Sequence, residues 1–258
     1  MTAPFRPRGG VLLLLLVLGP LALARAQITE SPETVKPGEF LLEMDGVTLN
    51  FDREAGNRYR AVGLASTIVT TGLTRSVDLQ VGFNLFLHQT YESGGARESH
   101  SGLGDLALRT KWTFWRDDRA GAAAAVIPYV KLPTNTGGVG NKSLEGGLIV
   151  PWGMNVPGGF GAGAMLQWDV VRNDADNGYD SRWHGSAFLQ RELTRMIVVY
   201  GETAFAVAST GLADWTATLG GGVLCNVTKR LQLDYELTRG LNRHATDWQH
   251  VWRVNWAW

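Results

Sequence analysis

An all-β chain closing into a transmembrane antiparallel up-and-down β-barrel of about twelve strands is the fold that three observations predict. Apolar and polar residues alternate with period two through segment after segment. The links between segments alternate between short and long. Aromatic residues gather near segment ends, most densely in the closing "DWQHVWRVNWAW". All three follow if the two faces of one sheet meet different solvents. No water reaches backbone N–H and C=O groups inside a bilayer, so a sheet lasts there only when it closes on itself and leaves no edge.

The first element is a leader. Arg6 and Arg8 precede the apolar run "VLLLLLVL", and Ala24 and Ala26 sit one residue apart in "ALARAQ". That order marks residues 1–26 as a secretory signal peptide, cleaved after Ala26. The apolar run is well short of the roughly 20 residues that a spanning helix needs. Residues 27–38 read as a short periplasmic lead, and residues 39–258 as the barrel. Loss of the leader removes three arginines, leaving 21 basic against 24 acidic residues and a net charge of −3. So weak a charge argues against a nucleic-acid partner. The single cysteine, Cys225, excludes an intramolecular disulfide and any Cys-based metal cluster, and no cofactor or metal is expected.

The strands fall near residues 39–50, 58–70, 75–89, 103–116, 121–132, 144–155, 158–171, 181–192, 195–207, 214–226, 230–239 and 248–258. In "VDLQVGFNLFLH", Val77, Leu79, Val81, Phe83, Leu85 and Leu87 share one face, and Asp78, Gln80, Gly82 and Asn84 the other. In "GDLALRTKWTFW", Leu106, Leu108, Thr110, Trp112 and Phe114 oppose Asp105, Ala107, Arg109 and Lys111. "LQLDYELT" sets Leu231, Leu233, Tyr235 and Leu237 against Gln232, Asp234, Glu236 and Thr238. The apolar face would meet lipid and the polar face a lumen. Interior glycines, as in "FGAGAM" and "LGGGVL", relieve crowding where a coiled wall bends.

Short links ("TGLTR", "RDDRA", "NVPGG", "ELTR", "NVTKR") alternate with longer ones ("YESGGARESHSG", "PTNTGGVGNKS", "RNDADNGYD", "TRGLNRHATD"). An outer-membrane barrel has short periplasmic turns and longer external loops; a soluble sandwich has no reason to sort them. Three short links also echo one another, "GLTRSVDLQVG", "ELTRMIVVYGE" and "NVTKRLQLDYE", as equivalent turns on one rim would. The competing class is a soluble secreted barrel or jelly roll with a buried apolar core. Trp112, Phe114, Trp152, Trp168, Trp248, Trp256 and Trp258, with Trp183 and Trp215, favour the membrane reading, because indole prefers the membrane–water interface.

Candidate sites are few. "GGVGNKS" resembles a phosphate loop, but Asn141 stands where glycine is required and a strand follows, so an external loop is expected. Asn141-Lys142-Ser143 and Asn226-Val227-Thr228 match the glycosylation pattern, which is short and common by chance. "WHGSAF" places His184 and Ser186 on one strand face, and resembles the H-x-S pattern of outer-membrane phospholipase A and lipid A deacylase. An outer-membrane lipid esterase using Ser186 and His184 is therefore the alternative function. The inward charges are the main candidate site: Asp78, Asp105, Arg109, Lys111, Lys131, Glu145, Asp169, Glu202, Asp234, Glu236 and Arg253. They would form a self-neutralising network that stiffens the interior, a lining that selects what passes, or both. An external loop such as Tyr91 to Gly102 would narrow the opening further.

"SGLGDLALRTKWTFW" followed by "AAAAVIPYVKLPT" resembles the outer-membrane proteins grouped as transporters of the meta-pathway of phenol degradation, in the "GLGD" strand start at Gly102–Asp105 and in the strand ending "P-x-x-K-L-P-T". The resemblance extends more weakly from about residue 40 to the end. It implies an outer-membrane barrel acting as a passive, porin-like channel or uptake protein for small, aromatic or hydrophobic molecules, and brings no catalytic residues. A closed structural barrel without transport is a further alternative. The expected setting is the Gram-negative outer membrane, with membrane lipid, the barrel assembly machinery and a small-molecule solute as partners. Trp248, Trp252, Trp256 and Trp258 then lie on the lipid side of the last strand, and the aromatic terminus resembles the signal that barrels present for assembly.

Overall fold

In the computed structural model, residues 28–54, 56–140, 142–173, 177–208 and 211–258 are described. Residues 1–26, expected from sequence to be a signal peptide, lie outside them, as do Gln27 and Asn141. The chain forms thirteen strands: β1 (Phe40–Glu54), β2 (Asn57–Gly72), β3 (Val77–Ser93), β4 (Ala96–Gly102), β5 (Leu106–Asp117), β6 (Ala122–Leu132), β7 (Glu145–Val156), β8 (Phe160–Arg172), β9 (Tyr179–Glu192), β10 (Ile197–Ala208), β11 (Gly211–Asn226), β12 (Leu231–Gly240) and β13 (Trp248–Ala257). Each pairs antiparallel with its neighbours. The β1–β13 pairing joins the first and last strands of the chain, and β2–β3 closes the sheet into a ring.

Twelve wall positions hold these thirteen strands. The first part of β3, Val77–Gly82, pairs with β5, while its later part, Leu87–Ser93, pairs with β4. Strands β4 and β5 therefore share one position in the wall. The segment Tyr91–Gly102, expected as a loop that narrows the opening, is instead the tip of a long hairpin. Its backbone is satisfied by ladder bonds from His88↔Ser101 to Ser93↔Ala96, and the turn is carried by Gly94 and Gly95, both at positive φ.

One rim carries the links 73–76, 118–121, 157–159, 193–196 and 227–230. The echo among three of them has a chemical cause. The Thr74 hydroxyl accepts from Ser76 N (3.2 Å), Thr194 Oγ1 from Met196 N (3.2 Å) and Ile197 N (3.0 Å), and Thr228 Oγ1 from Arg230 N (3.1 Å) and Leu231 N (3.0 Å). One hydroxyl closes each turn. The other rim bears the longer links 133–144, 173–178 and 241–247, but also the tight Gly94–Gly95 turn, and there Glu54 pairs with Asn57 and Ala208 with Gly211. The length contrast seen in the sequence thus holds for most links but not all.

The wall obeys the pleat. In β5, Arg109, Lys111 and Thr113 are buried while Leu108, Trp112 and Phe114 are exposed; in β12, Asp234, Glu236 and Thr238 are buried while Leu233 and Tyr235 are exposed. The exposed apolar face runs around the barrel, with Leu79, Leu166, Phe205, Leu219 and Trp252 among it. In water this would far exceed the few hundred Å² of apolar patch that a monomer carries, whereas hydrocarbon is the solvent it suits. Trp112, Phe114, Trp152, Trp256 and Trp258 lie toward the short-turn rim, and Trp168, Trp183, Trp215 and Trp248 toward the loop rim, all exposed. The seam closes where Phe40 and Trp258 exchange two backbone bonds of 3.0 Å and stack their rings 5.5 Å apart.

Some wall glycines do more than relieve bending. A Cβ on Gly222 would lie 2.4 Å from the Tyr200 ring, and one on Gly163 would lie 2.4 Å from the Phe188 ring. Each glycine is the floor against which an inward aromatic ring lies flat. These rings join Val198 and Leu224 in a small apolar cluster; Ile127, Ile149 and Met165 form a second.

Candidate functional site

The interior is divided by a segment that periodicity did not place. Residues 28–38, read from sequence as the greater part of a short periplasmic lead, run inside the barrel from mid-height to the short-turn rim. Ile28 packs on the Ile127, Ile149 and Met165 cluster. Glu202 accepts from Ile28 N at 3.2 Å, and from Thr29 N and Thr29 Oγ1 at 2.8 and 2.6 Å. Glu30 pairs with Arg109. Pro32 O accepts from Thr113 Oγ1 (2.5 Å), Glu33 O from Lys111 Nζ (3.2 Å), and Glu33 Oε2 from Arg116 (2.6 Å). Val35 N donates to both oxygens of Asp78 at 3.1 Å. A polar strap without alternation carries no strand signal, so its place depends wholly on what the closed wall offers it.

The eleven inward charges fall into separate groups. On β5, Arg109 and Lys111 face the strap; a register shift between Thr113 and Trp115 then changes the phase and brings Arg116 to the same side. On the loop-rim side, Lys131 bridges Glu145 (2.6 Å) and Asp105 (3.8 Å), and Asp105 also accepts from Asn135. Asp169 accepts from the Tyr129 hydroxyl (2.5 Å) and from Gln167, and pairs with His184 at 3.0 Å. Across the lumen lies an acid-rich group: Arg253 binds Asp45 at 2.6 Å and Asp234 at 2.9 Å, while the Tyr200 hydroxyl donates to Asp234 and Glu236 at 3.2 Å. Asp78 and Glu202 serve the strap. Asp45 and Tyr200 were missed from sequence. A parity reading of "LLEMDG" would have found Asp45 with Glu43, and the parity that turns Glu202 inward also turns Tyr200 inward, where register places it beside Gly222.

Between strap and wall lies a cavity of about 450 Å³. Glu30, Glu43, Asp45, Asp105, Arg109, Lys131 and Arg253 supply its charges, and Ile68, Leu87 and Val139 its apolar surface. Leu87, expected on the lipid face, is turned inward because the β2–β3 ladder skips a pair between Leu64↔Phe86 and Ser66↔Asn84 and the parity changes beyond Leu85. The loop 133–144 reaches this chamber through Val139 and Gly140, so it, and not Tyr91–Gly102, covers the space. Two buried atoms of residues that line it, Arg109 Nε and Asn255 Oδ1, have no hydrogen-bond partner among the described residues. Among the described residues, no group of three or more His, Cys, Asp or Glu is arranged to hold a metal ion.

The H-x-S pattern does not assemble as a catalytic pair. His184 Nε2 is engaged by Asp169, and Ser186 Oγ lies 2.6 Å from Thr29 Oγ1. Ser186 is buried, directed at the strap and away from the lipid face. A lipid ester could not reach it there.

Solved structures share this architecture at low identity. The NanC porin is 9% identical with a TM-score of 0.51, covering 84% of this chain and 98% of its own. The translocator domain of the autotransporter NalP from Neisseria meningitidis is 11% identical with a TM-score of 0.56, covering 87% and 89%. The β-domain of the Bordetella autotransporter Brka is 13% identical with a TM-score of 0.54, covering 87% and 100%. A porin and two autotransporter domains on one architecture show that the likeness is one of fold, with function left to the lumen. No curated protein matches the chain by sequence. The sequence pattern of one family matches residues 24–258, nearly the whole barrel chain and its strap, and the protein belongs to that family, described as "Putative MetA-pathway of phenol degradation".

Proposed function

We propose that this protein is a passive outer-membrane channel for small molecules, aromatic or hydrophobic ones with a polar group among them. The observation that carries the reading is the chamber: a closed wall surrounds a space of about 450 Å³ that offers charged hydrogen-bonding groups on one side and Ile68, Leu87 and Val139 on another. That volume lies within the roughly 300–1,000 Å³ of small-molecule sites. A phenol-like solute would rest its ring on the apolar side while its hydroxyl meets Lys131, the accessible cation of the lining. The family description supports the same class of solute. In this reading Asp105, Arg109, Lys131 and Arg253, the four inward charges that line the chamber, form the selecting lining, and the chain performs no chemistry. The short-turn rim faces the periplasm, the leader 1–26 directs export from a Gram-negative cytoplasm, and the aromatic C-terminus is read by the barrel assembly machinery.

Planar-bilayer conductance of the purified protein tests the proposal. Discrete openings, with Lys131→Gln shifting selectivity toward cations, are the expected result. Lys131 suits the test because it lines the chamber and is about a third exposed. A folded barrel that never conducts would favour a purely structural role.

A further inference from the structure

We propose that residues 28–36 are a displaceable plug that shuts the short-turn half of the lumen and must leave it for solute to pass. The inference rests on the channel reading and goes beyond it.

Three features of the strap support displacement. Among the described residues, no backbone-to-backbone hydrogen bond joins residues 28–35 to the wall, whereas every wall strand is held by ladders. The strap is held through side chains, Glu202 and Asp78 receiving its N–H groups and Lys111 and Thr113 reaching its carbonyls. It can therefore detach without unpairing any strand. The second feature is its charge pattern. Glu30 and Glu33 face the cations of β5, while its N–H groups face the carboxylate of Glu202 on the opposite arc. Such contacts exchange readily for water and ions when the segment withdraws, because the partners on both sides are polar. The third is the pivot. The Glu39 amide bonds to Lys36 O at 3.0 Å and Gly38 N to Gly72 O at 3.0 Å, so the chain reverses into β1 at the rim, with Gly38 at φ 80°. Glycine alone adopts that conformation freely. The wall leaves room for the strap's backbone at Gly72, where a Cβ would lie 2.4 Å from Val35 O and Lys36 O.

The Thr29 and Ser186 hydroxyls, 2.6 Å apart, mark a place where strap and wall can be bridged. We would prepare Thr29→Cys/Ser186→Cys in a Cys225→Ala background, oxidise the two thiols to a disulfide with diamide, and record bilayer conductance before and after reduction. A second protein lacks residues 28–36. Folding of each is checked by heat-modifiable gel migration. The expected result is that the oxidised protein is silent, reduction opens it to at least the native conductance, and the deletion conducts several-fold more than native. A folded deletion that conducts while the native and locked proteins are silent also supports closure by the strap. Equal conductance of oxidised and reduced protein, with openings present in both, overturns the plug but leaves the channel reading standing. Silence of every folded form, deletion included, removes the channel reading and the plug with it.

Discussion

Replacing Arg253 by methionine keeps most of the side chain's volume and removes its charge. In the native protein the guanidinium is 8% exposed and makes charge-assisted bonds to Asp45 and Asp234. Each such bond contributes on the order of 1.5–3 kcal/mol. The two partners are not equal. The Asp45 side chain is 24% exposed and regains water when its partner goes, whereas that of Asp234 is 1% exposed and cannot. Most of the loss therefore falls on Asp234, which also sits beside Glu236 under the same tyrosine hydroxyl. Leaving a buried charge unpaired costs about 3–5 kcal/mol, and that is the destabilisation expected for R253M. Urea unfolding in lipid vesicles, followed by fluorescence of the ten tryptophans, measures it. Adding Asp234→Asn removes the stranded charge and should recover about 2 kcal/mol, a coupling that a double-mutant cycle isolates. A loss below about 1 kcal/mol for R253M, or further loss on adding D234N, would refute the reasoning that Asp234 depends on Arg253.

Other outcomes follow from the same geometry. Asp45, Glu202, Asp234 and Glu236 share one arc of the lumen with one guanidinium, so the conducting protein should prefer cations; the reversal potential in a salt gradient reads the preference, and Glu236→Gln should weaken it. Gly222→Val puts a side chain where the Tyr200 ring lies and should cost about 1–3 kcal/mol by overpacking, seen as a lower urea midpoint, whereas Gly201→Ala, whose Cβ meets no side chain within 4 Å, should cost less. Trp258→Ala removes the ring stacked on Phe40 at the seam; a loss of about 0.5–1.5 kcal/mol is expected, together with a smaller fraction of assembled barrel in outer-membrane preparations.

How far the sequence alone reached depends on which physical rule each feature obeys. Period-two alternation is local, so it settles the faces of β5 up to Thr113 and of β12 and β13: Arg109 and Lys111 in and Trp112 out, Arg253 in and Trp252 out. Turn chemistry is equally local, and Thr74, Thr194 and Thr228 repeat one another because one hydroxyl closes each turn. Interfacial preference is a property of indole itself, which is why the tryptophans mark both rims. Height within the lumen is not local. Whether Arg253 meets Asp45 or Asp234 depends on the register of β13 against β1 and β12, and that register exists only once the sheet has closed. A bulge in β5 that brings Arg116 inward breaks the very parity on which sequence reasoning relies. Residues 28–36 have no alternation to read, because their backbone is satisfied by side chains drawn from β3, β5 and β10, strands far apart in the chain. Faces and rims were therefore written in the sequence, whereas the plug and the chamber beside it came from closure, which alone brings those distant strands to one height.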